Sequence, residues 1–252
     1  MNQYQKVPLL DQTKEIILGS LLGDGSLKIH KPYKNARFSF RHSSLQKKYF
    51  FWKLSKLKEI SRDKNYWIQK NDLGFSKKPK LRYQSKALET LTDIYNFTHK
   101  KGKFKISRRW LNYMTPLSLA IWWLDDGSII SNGRKGVFCT DGFDKESIKI
   151  LARYLQINWQ IETKISPVYL NYKNEKREYW RLWIRSTEQL KNFLQIILPS
   201  IEVEEMLPKV ILLYHDNHLQ QRWISEIAKN TKFSEETINK YVVLKKKKWK
   251  QF

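Results

Sequence analysis

Four short stretches of the chain alternate with a period of two. In "SLKIH" (26–30), Ser26, Lys28 and His30 face one way while Leu27 and Ile29 face the other. In "ARFSFR" (36–41), Arg37, Ser39 and Arg41 oppose Ala36, Phe38 and Phe40. "KLRYQS" (80–85) puts Lys80, Arg82 and Gln84 on one side. "YWRLWIR" (179–185) groups Tyr179, Arg181, Trp183 and Arg185 against Trp180, Leu182 and Ile184. This periodicity predicts strands with one dry face and one basic, hydrogen-bonding face. A polar solvent face explains any one of them. Four wet faces rich in Arg and Lys and nearly free of acid predict a surface for phosphates and base edges.

Helical spacing fills the intervals. "SSLQKKYFFWKLSKLKEI" (43–60) opens on Ser43 or Ser44 as N-cap and repeats Leu45, Tyr49, Trp52 and Leu57. "DKESIKILARYLQI" (144–157) opens on an Asp cap and repeats Ile148, Leu151 and Leu155. "STEQLKNFLQIIL" (186–198) has a Ser cap and stops at Pro199. The order α-β-β-α-β-β-α is predicted from about residue 11 to 98 and again from about 116 to 198, an internal duplication at low sequence identity.

Each run begins with an apolar helix that ends in Asp-Gly-Ser: "ILGSLLGDGS" (17–26) and "LAIWWLDDGS" (119–128). Gly19 and Gly23 form a Gly-x-x-x-Gly edge that lets another backbone approach closely. Asp24 and Asp126 fall at the helix C-termini, with Gly25 and Gly127 placed to end each helix in the left-handed conformation. A carboxylate there is normally unfavourable, because the last carbonyls already carry partial negative charge. A divalent cation reverses that sign, since carboxylates and free carbonyl oxygens make a hard-oxygen site suited to Mg²⁺. A helix-stop turn explains one Asp-Gly. Its recurrence in the same helix-to-strand setting points to chemistry.

With these residues the chain resembles the LAGLIDADG homing endonucleases of the single-chain, two-motif class, over roughly residues 11–215. The Thr-Pro lead-in of "NYMTPLSLAIWWLDDG" (112–127) is similar to one branch of that family. The resemblance implies an α+β fold of two αββαββα halves related by a pseudo-twofold axis, with saddle-shaped antiparallel sheets lying on the DNA major groove. It implies that Asp24 and Asp126 bind catalytic metals, two or three Mg²⁺ ions for which Ca²⁺ or Mn²⁺ substitutes. Gly23 and Asp125 would add backbone carbonyls. It also implies a late lysine near each scissile phosphate, for which Lys103, with Lys105 close behind, and Lys209 are placed. Ile121 departs from the pattern, which has a small residue there, so the second helix is expected to rely on Ala120 and on the groove of the first. Trp122 and Trp123 are larger than typical and are expected in the core. The expected activity is site-specific double-strand cleavage, by a monomer, of a long asymmetric DNA target. An RNA maturase acting on intron RNA and a non-catalytic DNA-binding regulator are the alternatives.

Composition fits a nucleic-acid partner. Lys and Arg number 48 against 24 Asp and Glu, a net charge of +24, and so large a self-repulsion calls for an anionic partner. A hydrophobic content of 41% with 10 Trp, 13 Tyr and 12 Phe is that of a folded core rather than a disordered chain. No run approaches the ~18 apolar residues of a spanning helix. The start "MNQYQKVPLL" has no signal-peptide core. Expectations are therefore no membrane, no secretion, and a bacterial cytoplasm or organelle matrix. The single Cys139 excludes an internal disulfide and a Cys-rich zinc site. His215 and His218 in "YHDNH" (214–218) have no further ligands in sequence and read as an exposed helix end.

The boundaries expected are 1–110 and 111–215 for the two repeats and 216–252 for an extension. There, "WISEIAKNTKFSEETINKYVV" (223–243) resembles a helix-turn-helix: Ile224, Ile227 and Ala228 share a face, and a second helix starts at Ser234 with Ile238, Tyr241 and Val242 apolar. Thr237, Asn239 and Lys240 are its expected groove contacts, although Lys232 stands where such turns carry glycine. "KKKKWK" (245–250) reads as a phosphate-binding or disordered tail.

Overall fold

Both predicted α-β-β-α-β-β-α runs are present in the computed structural model, which describes residues 7–69, 79–130, 133–172 and 175–249. The first comprises α1 (Asp11–Leu21), β1 (Gly25–Lys28), β2 (Arg37–Ser43), α2 (Lys47–Lys56), β3 (Tyr66–Gln69), β4 (Lys80–Gln84) and α3 (Glu89–Thr98). A hairpin of β5 (His99–Lys100) and β6 (Lys103–Phe104) and the one-turn α4 (Arg108–Leu111) lead to α5 (Pro116–Asp126). The second run continues as β7 (Gly127–Ile130), β8 (Lys135–Phe138), α6 (Lys145–Trp159), β9 (Lys164–Tyr172), β10 (Glu175–Ile184) and α7 (Thr187–Ile197). The chain then forms α8 (Asn217–Asn230) and α9 (Glu235–Lys248). Strand order is β1-β2-β4-β3 in one sheet and β7-β8-β10-β9 in the other, antiparallel throughout. The chain divides into two units, Met1–Asp125 and Asp126–Phe252, so α5 belongs with the first except for its last residue.

In the first unit the dry faces of the strands bury Leu27, Phe38, Phe40, Leu81 and Tyr83 against Tyr49 and Phe50 of α2 and Leu91 and Ile94 of α3. The dry parity of β2 runs on to His42, which is buried. The helix expected from Ser43 starts later. Ser43 Oγ accepts from Leu45 N–H and caps a 3₁₀ turn at Ser44–Gln46, and α2 follows. Three residues per turn instead of 3.6 puts Leu45 out of phase with the buried stripe, and its side chain is exposed.

The glycine edge of α1 seats α5. A Cβ on Gly19 would lie 2.3 Å from the Ser118 carbonyl oxygen and 2.8 Å from Ile121 Cβ, and one on Gly23 would lie 2.4 Å from Asp125 Cβ. Ser118 Oγ also donates to the Glu15 carbonyl at 3.0 Å. Ile121 therefore fills the notch that Gly19 leaves, and Trp122 and Trp123 are fully buried. Gly19→Ala is a sharp test, because helix propensity alone would favour alanine by roughly 1 kcal/mol. The clash should instead destabilise the first unit by about 1–3 kcal/mol. Urea unfolding showing a neutral or stabilising change would contradict the close approach.

Two glycines do something other than expected. The left-handed residues among those described are Lys101, Gly102, Gly133 and Gln160, so neither Gly25 nor Gly127 ends its helix in that conformation. The C-cap of α1 is Leu22, in right-handed helical conformation. Gly25 is required instead for proximity: a Cβ there would lie 2.6 Å from Ser20 Cβ and 2.9 Å from the Ser20 carbonyl oxygen.

In the second unit Ile148, Leu151 and Leu155 of α6 are buried as their spacing predicts, with Phe138, Leu182, Ile184 and Phe193. Asp144 caps α6 by accepting from Ser147 N–H at 2.8 Å, and Ser186 caps α7 by accepting from Gln189 N–H at 3.3 Å. Helices α8 and α9 are joined by a short turn, and Ser234 caps the second by accepting from Thr237 N–H. The lysine run is no tail through Lys248: α9 includes Lys245–Lys248, and Lys245 is buried. Lys250 lies outside the described residues. No helix among the described residues is long and apolar enough to cross a membrane.

Candidate active site

Asp24 follows α1 just before β1 opens, and its side chain is about 40% exposed. It lies in a groove of about 370 Å³ lined also by Gly23, Gly25, Ser26, Lys28, His30, Ser39, Phe40, Arg41, Arg82 and Gln84. The strand register explains the gathering. Ser26 faces Ser39, Ser39 faces Gln84, Lys28 faces Arg37, and Arg41 faces Arg82. Ser26 and Ser39 share a hydrogen bond at 3.0 Å, and Arg37 Nη1 donates to Gln84 Oε1 at 3.3 Å. The guanidinium of Arg37 lies over the Tyr33 ring and that of Arg82 over Trp67, its neighbour on β3. Lys80 continues this face beyond the groove, opposite Ser43.

Beneath Asp24 is a buried polar cluster. His42 Nδ1 lies 3.1 Å from Asp24 Oδ2, and its Nε2 lies 3.8 Å from Asp125 Oδ1. The buried Asp125 carboxylate receives the fully buried Lys53 ammonium at 2.8 and 2.9 Å on its two oxygens. The Tyr49 hydroxyl donates to Oδ1 at 2.8 Å, and the Asp24 N–H reaches Oδ2 at 3.3 Å. Burial, and then the negative charge of Asp125, push the Tyr49 phenol well above its ordinary 10, so it remains a donor. Lys53 thus neutralises a charge that would otherwise be costly to bury.

The cluster can hold a divalent cation. Single ligand atoms of Asp24, His42 and Asp125 lie within 4.8 Å of one another. Both His42 ring nitrogens are buried and, despite their proximity to carboxylates, make no hydrogen bond. Buried polar atoms without partners call for an explanation, and an ion supplies one. Lys53 already binds both Asp125 oxygens, so the buried imidazole of His42 and the partly exposed carboxylate of Asp24 are the ligands nearest the groove. Carboxylate oxygen suits Mg²⁺, while imidazole nitrogen extends the fit to Mn²⁺.

In the second unit Asp126 is the last residue of α5, and its carbonyl accepts from Cys139 N–H at 3.0 Å. Burial pushes the Cys139 thiol up. Arg181 and Lys209 pull it down, while Asp141 and Asp126 push it further up, which places all four charges around it. Arg181 is the finding least in line with the sequence. It donates to both oxygens of Asp141, at 2.7 and 2.6 Å, so this wet face holds an acid that its alternation did not reveal. Trp183 is half-buried, and Arg185 donates to Ser166 Oγ at 3.1 Å.

The late lysines differ. Lys209 ends the 3₁₀ stretch Glu204–Lys209. Lys103 is exposed, pairs with Lys100 across the β5–β6 hairpin, and is absent from the lining of the Asp24 groove. Lys105 is exposed just beyond it. His215 and His218 flank the Asp216 cap of α8 and are exposed, at a helix start. On α9, Asn239 and Lys240 are exposed, whereas the Thr237 hydroxyl is bonded to Ser234.

Two residues of the cluster escape the sequence reading, His42 and Lys53, while Tyr49 is read there only as part of the helical stripe. Their signal is a polar residue where the pattern wants an apolar one. His42 occupies the dry parity of Phe38 and Phe40, and Lys53 follows Tyr49 by four on the stripe that ends at Leu57.

Comparison with known proteins places this geometry. The model of the LAGLIDADG DNA endonuclease family matches residues 14–193. The chain is 37% identical over 127 residues to protein RecA of Mycobacterium gastri, covering 48% of this chain and 27% of that protein. It is 31% identical over 170 residues to the cytochrome b mRNA maturase bI2 of Saccharomyces cerevisiae, covering 63% of this chain and 39% of that one. It thus spans well under half the length of these relatives. The fold is that of the homing endonuclease I-WcaI, solved bound to its DNA recognition sequence: TM-score 0.68 and 24% identity, over 82% of this chain and 88% of that one. With the family match covering both Asp-Gly motifs, the chain belongs to the LAGLIDADG DNA endonuclease family.

Proposed function

We propose that the protein is a site-specific, divalent-metal-dependent endonuclease acting on double-stranded DNA. The observation that carries this reading is Asp24, an acid left partly exposed in a groove whose other charged side chains, Lys28, Arg41 and Arg82, are cationic. Arg41 lies directly opposite Arg82, a juxtaposition of two cations whose repulsion a bound phosphate offsets. Ser39, Gln84, Arg37 and His30 present hydrogen-bonding groups for base edges, with Lys80 on the same face. Trp183, Arg185, Arg181, Thr237, Asn239 and Lys240 are the counterparts proposed in the second unit.

Asp24 with His42, and Asp126 in the second unit, would hold Mg²⁺, with Gly23 and Asp125 adding backbone carbonyls. Two or three ions are proposed, with Mn²⁺ or Ca²⁺ as substitutes. When bound, the metal supplies a more acidic water and charge stabilisation at the phosphate. The protein's own part is to align and to neutralise. Lys53 and Tyr49 fix Asp125, whose Oδ2 holds the Asp24 N–H. Lys103 and Lys209 would bring ammonium groups to negative charge as a water oxygen bonds to phosphorus, the phosphorus–oxygen ester bond breaks, and the proton given up by that water balances the one the leaving oxygen gains. Two motifs in one chain imply a monomer, a long asymmetric target, and action where intracellular DNA is found.

The test is incubation with Mg²⁺ and a randomised duplex library, sequencing the cut ends. A recurrent cut site is expected. Binding should weaken with salt at a slope of about −0.9 per phosphate contact. The match to a protein named an mRNA maturase favours one second reading. No cutting in Mg²⁺ or Mn²⁺, together with tight binding of a structured intron RNA, would establish that reading instead.

A further inference from the structure

Residues 210–214 have no helix or strand, yet Val210, Ile211, Leu212 and Leu213 are fully buried. Irregular backbone in that setting must find partners for its carbonyls. Helices α8 and α9 supply them. Lys245 Nζ donates to the carbonyls of Pro208 and Ile211, both at 2.7 Å. Trp223 Nε1 donates to the Val210 carbonyl and Gln220 Nε2 to that of Leu212, each at 3.1 Å. Lys246 Nζ donates to the Tyr214 carbonyl at 3.0 Å, and Gln220 Oε1 accepts from Tyr214 N–H at 3.0 Å. The two helices are themselves locked together, since Glu235 accepts from Gln221 at 2.9 Å and from Ser225 at 2.6 Å. The segment also ties back to the strand region, with Leu213 N–H donating to the Gly133 carbonyl at 3.0 Å.

Lys209 sits inside this arrangement, between two of the carbonyl contacts, and shares the surroundings of the Cys139 thiol with Asp126. We propose that α8 and α9 form a buttress that fixes Lys209 for the reaction, with Lys245 as its principal positioning residue. This rests on the reading that Lys209 acts at a scissile phosphate. Lys245 serves in either protonation state. Burial pushes its ammonium down to about 7, and a neutral amine still has two N–H groups for two carbonyls. A basic, DNA-seeking tail would expose this lysine; a buttress buries it.

The experiment uses the full chain, Mg²⁺ and the duplex found in the library, end-labelled on either strand under single turnover. Lys209→Met should slow cutting of one strand. Lys245→Met should slow the same strand by roughly tenfold to a hundredfold, the penalty of a misplaced group, leaving the other strand and duplex binding within about twofold. Gln220→Met, at similar volume, removes the donor to Leu212 and the acceptor for Tyr214 N–H, and Trp223→Phe removes the donor to Val210 together with part of the ring. Each should give a smaller loss on that strand, so the idea stays testable if Lys245→Met fails to fold. If Lys209→Met slows one strand and the buttress variants slow both strands alike or neither, the buttress is wrong and the Lys209 reading stands. If Lys209→Met changes nothing, both fall.

Discussion

Asp126→Asn is expected to abolish double-strand cutting, on the order of 10³-fold or more, while duplex binding is retained. Asp126 ends α5, where its charge opposes the partial negative charge of the last carbonyls, while Arg181 lies within its electrostatic reach. The two effects on stability have opposite signs, so cutting and binding are the readouts that report on its chemistry. Single-turnover cleavage and a duplex-binding titration on one preparation check both. Undiminished cutting, or a loss of duplex binding that accounts for the lost cutting, would show that Asp126 has been misassigned.

Lys53→Met should destabilise the fold. It removes the ammonium that bonds both oxygens of the buried Asp125 carboxylate, and a cost of about 3–5 kcal/mol is expected. Adding Asp125→Leu should recover a large part of that loss, because replacing both ends of a buried pair costs far less than removing one. A denaturant series on the two single variants and the double variant measures the coupling. If Lys53→Met unfolds at the same midpoint as the parent, the ammonium is not compensating Asp125.

Much of this was legible in the chain, for physical reasons. Period-two alternation marked β2, β4 and β10 because each has one dry face, and the register then brought Arg41, Arg82, Ser39 and Gln84 together. Asp24 and Asp126 stood out because a charge repeated at an unfavourable helix end demands a reason. The residues that support Asp24 were hidden by the same logic. A histidine on the dry side of a strand and a lysine on the apolar stripe of a helix look like interruptions of a pattern until tertiary packing supplies their partners. Lys245 is a third case: inside a run of four lysines, nothing local separates the one that is buried from the three beside it. Glycine misled in another way. Both Asp-Gly pairs look like left-handed stops, whereas Gly25 is selected by the nearness of Ser20, a contact invisible in a linear pattern.

The seating of α5 on the glycine edge of α1 bears on how members of this family can exchange parts. The sequence repeat begins anew ahead of α5, but the surface that α5 must match is Gly19 and Gly23 of the opposite repeat. A hybrid joined at the repeat boundary would set an unfamiliar helix against Gly19 and Gly23, where even an added Cβ is not accommodated. A junction between Asp125 and Asp126 keeps lock and key from a single parent. An exchange of halves that respects this packing therefore carries α5 along with α1.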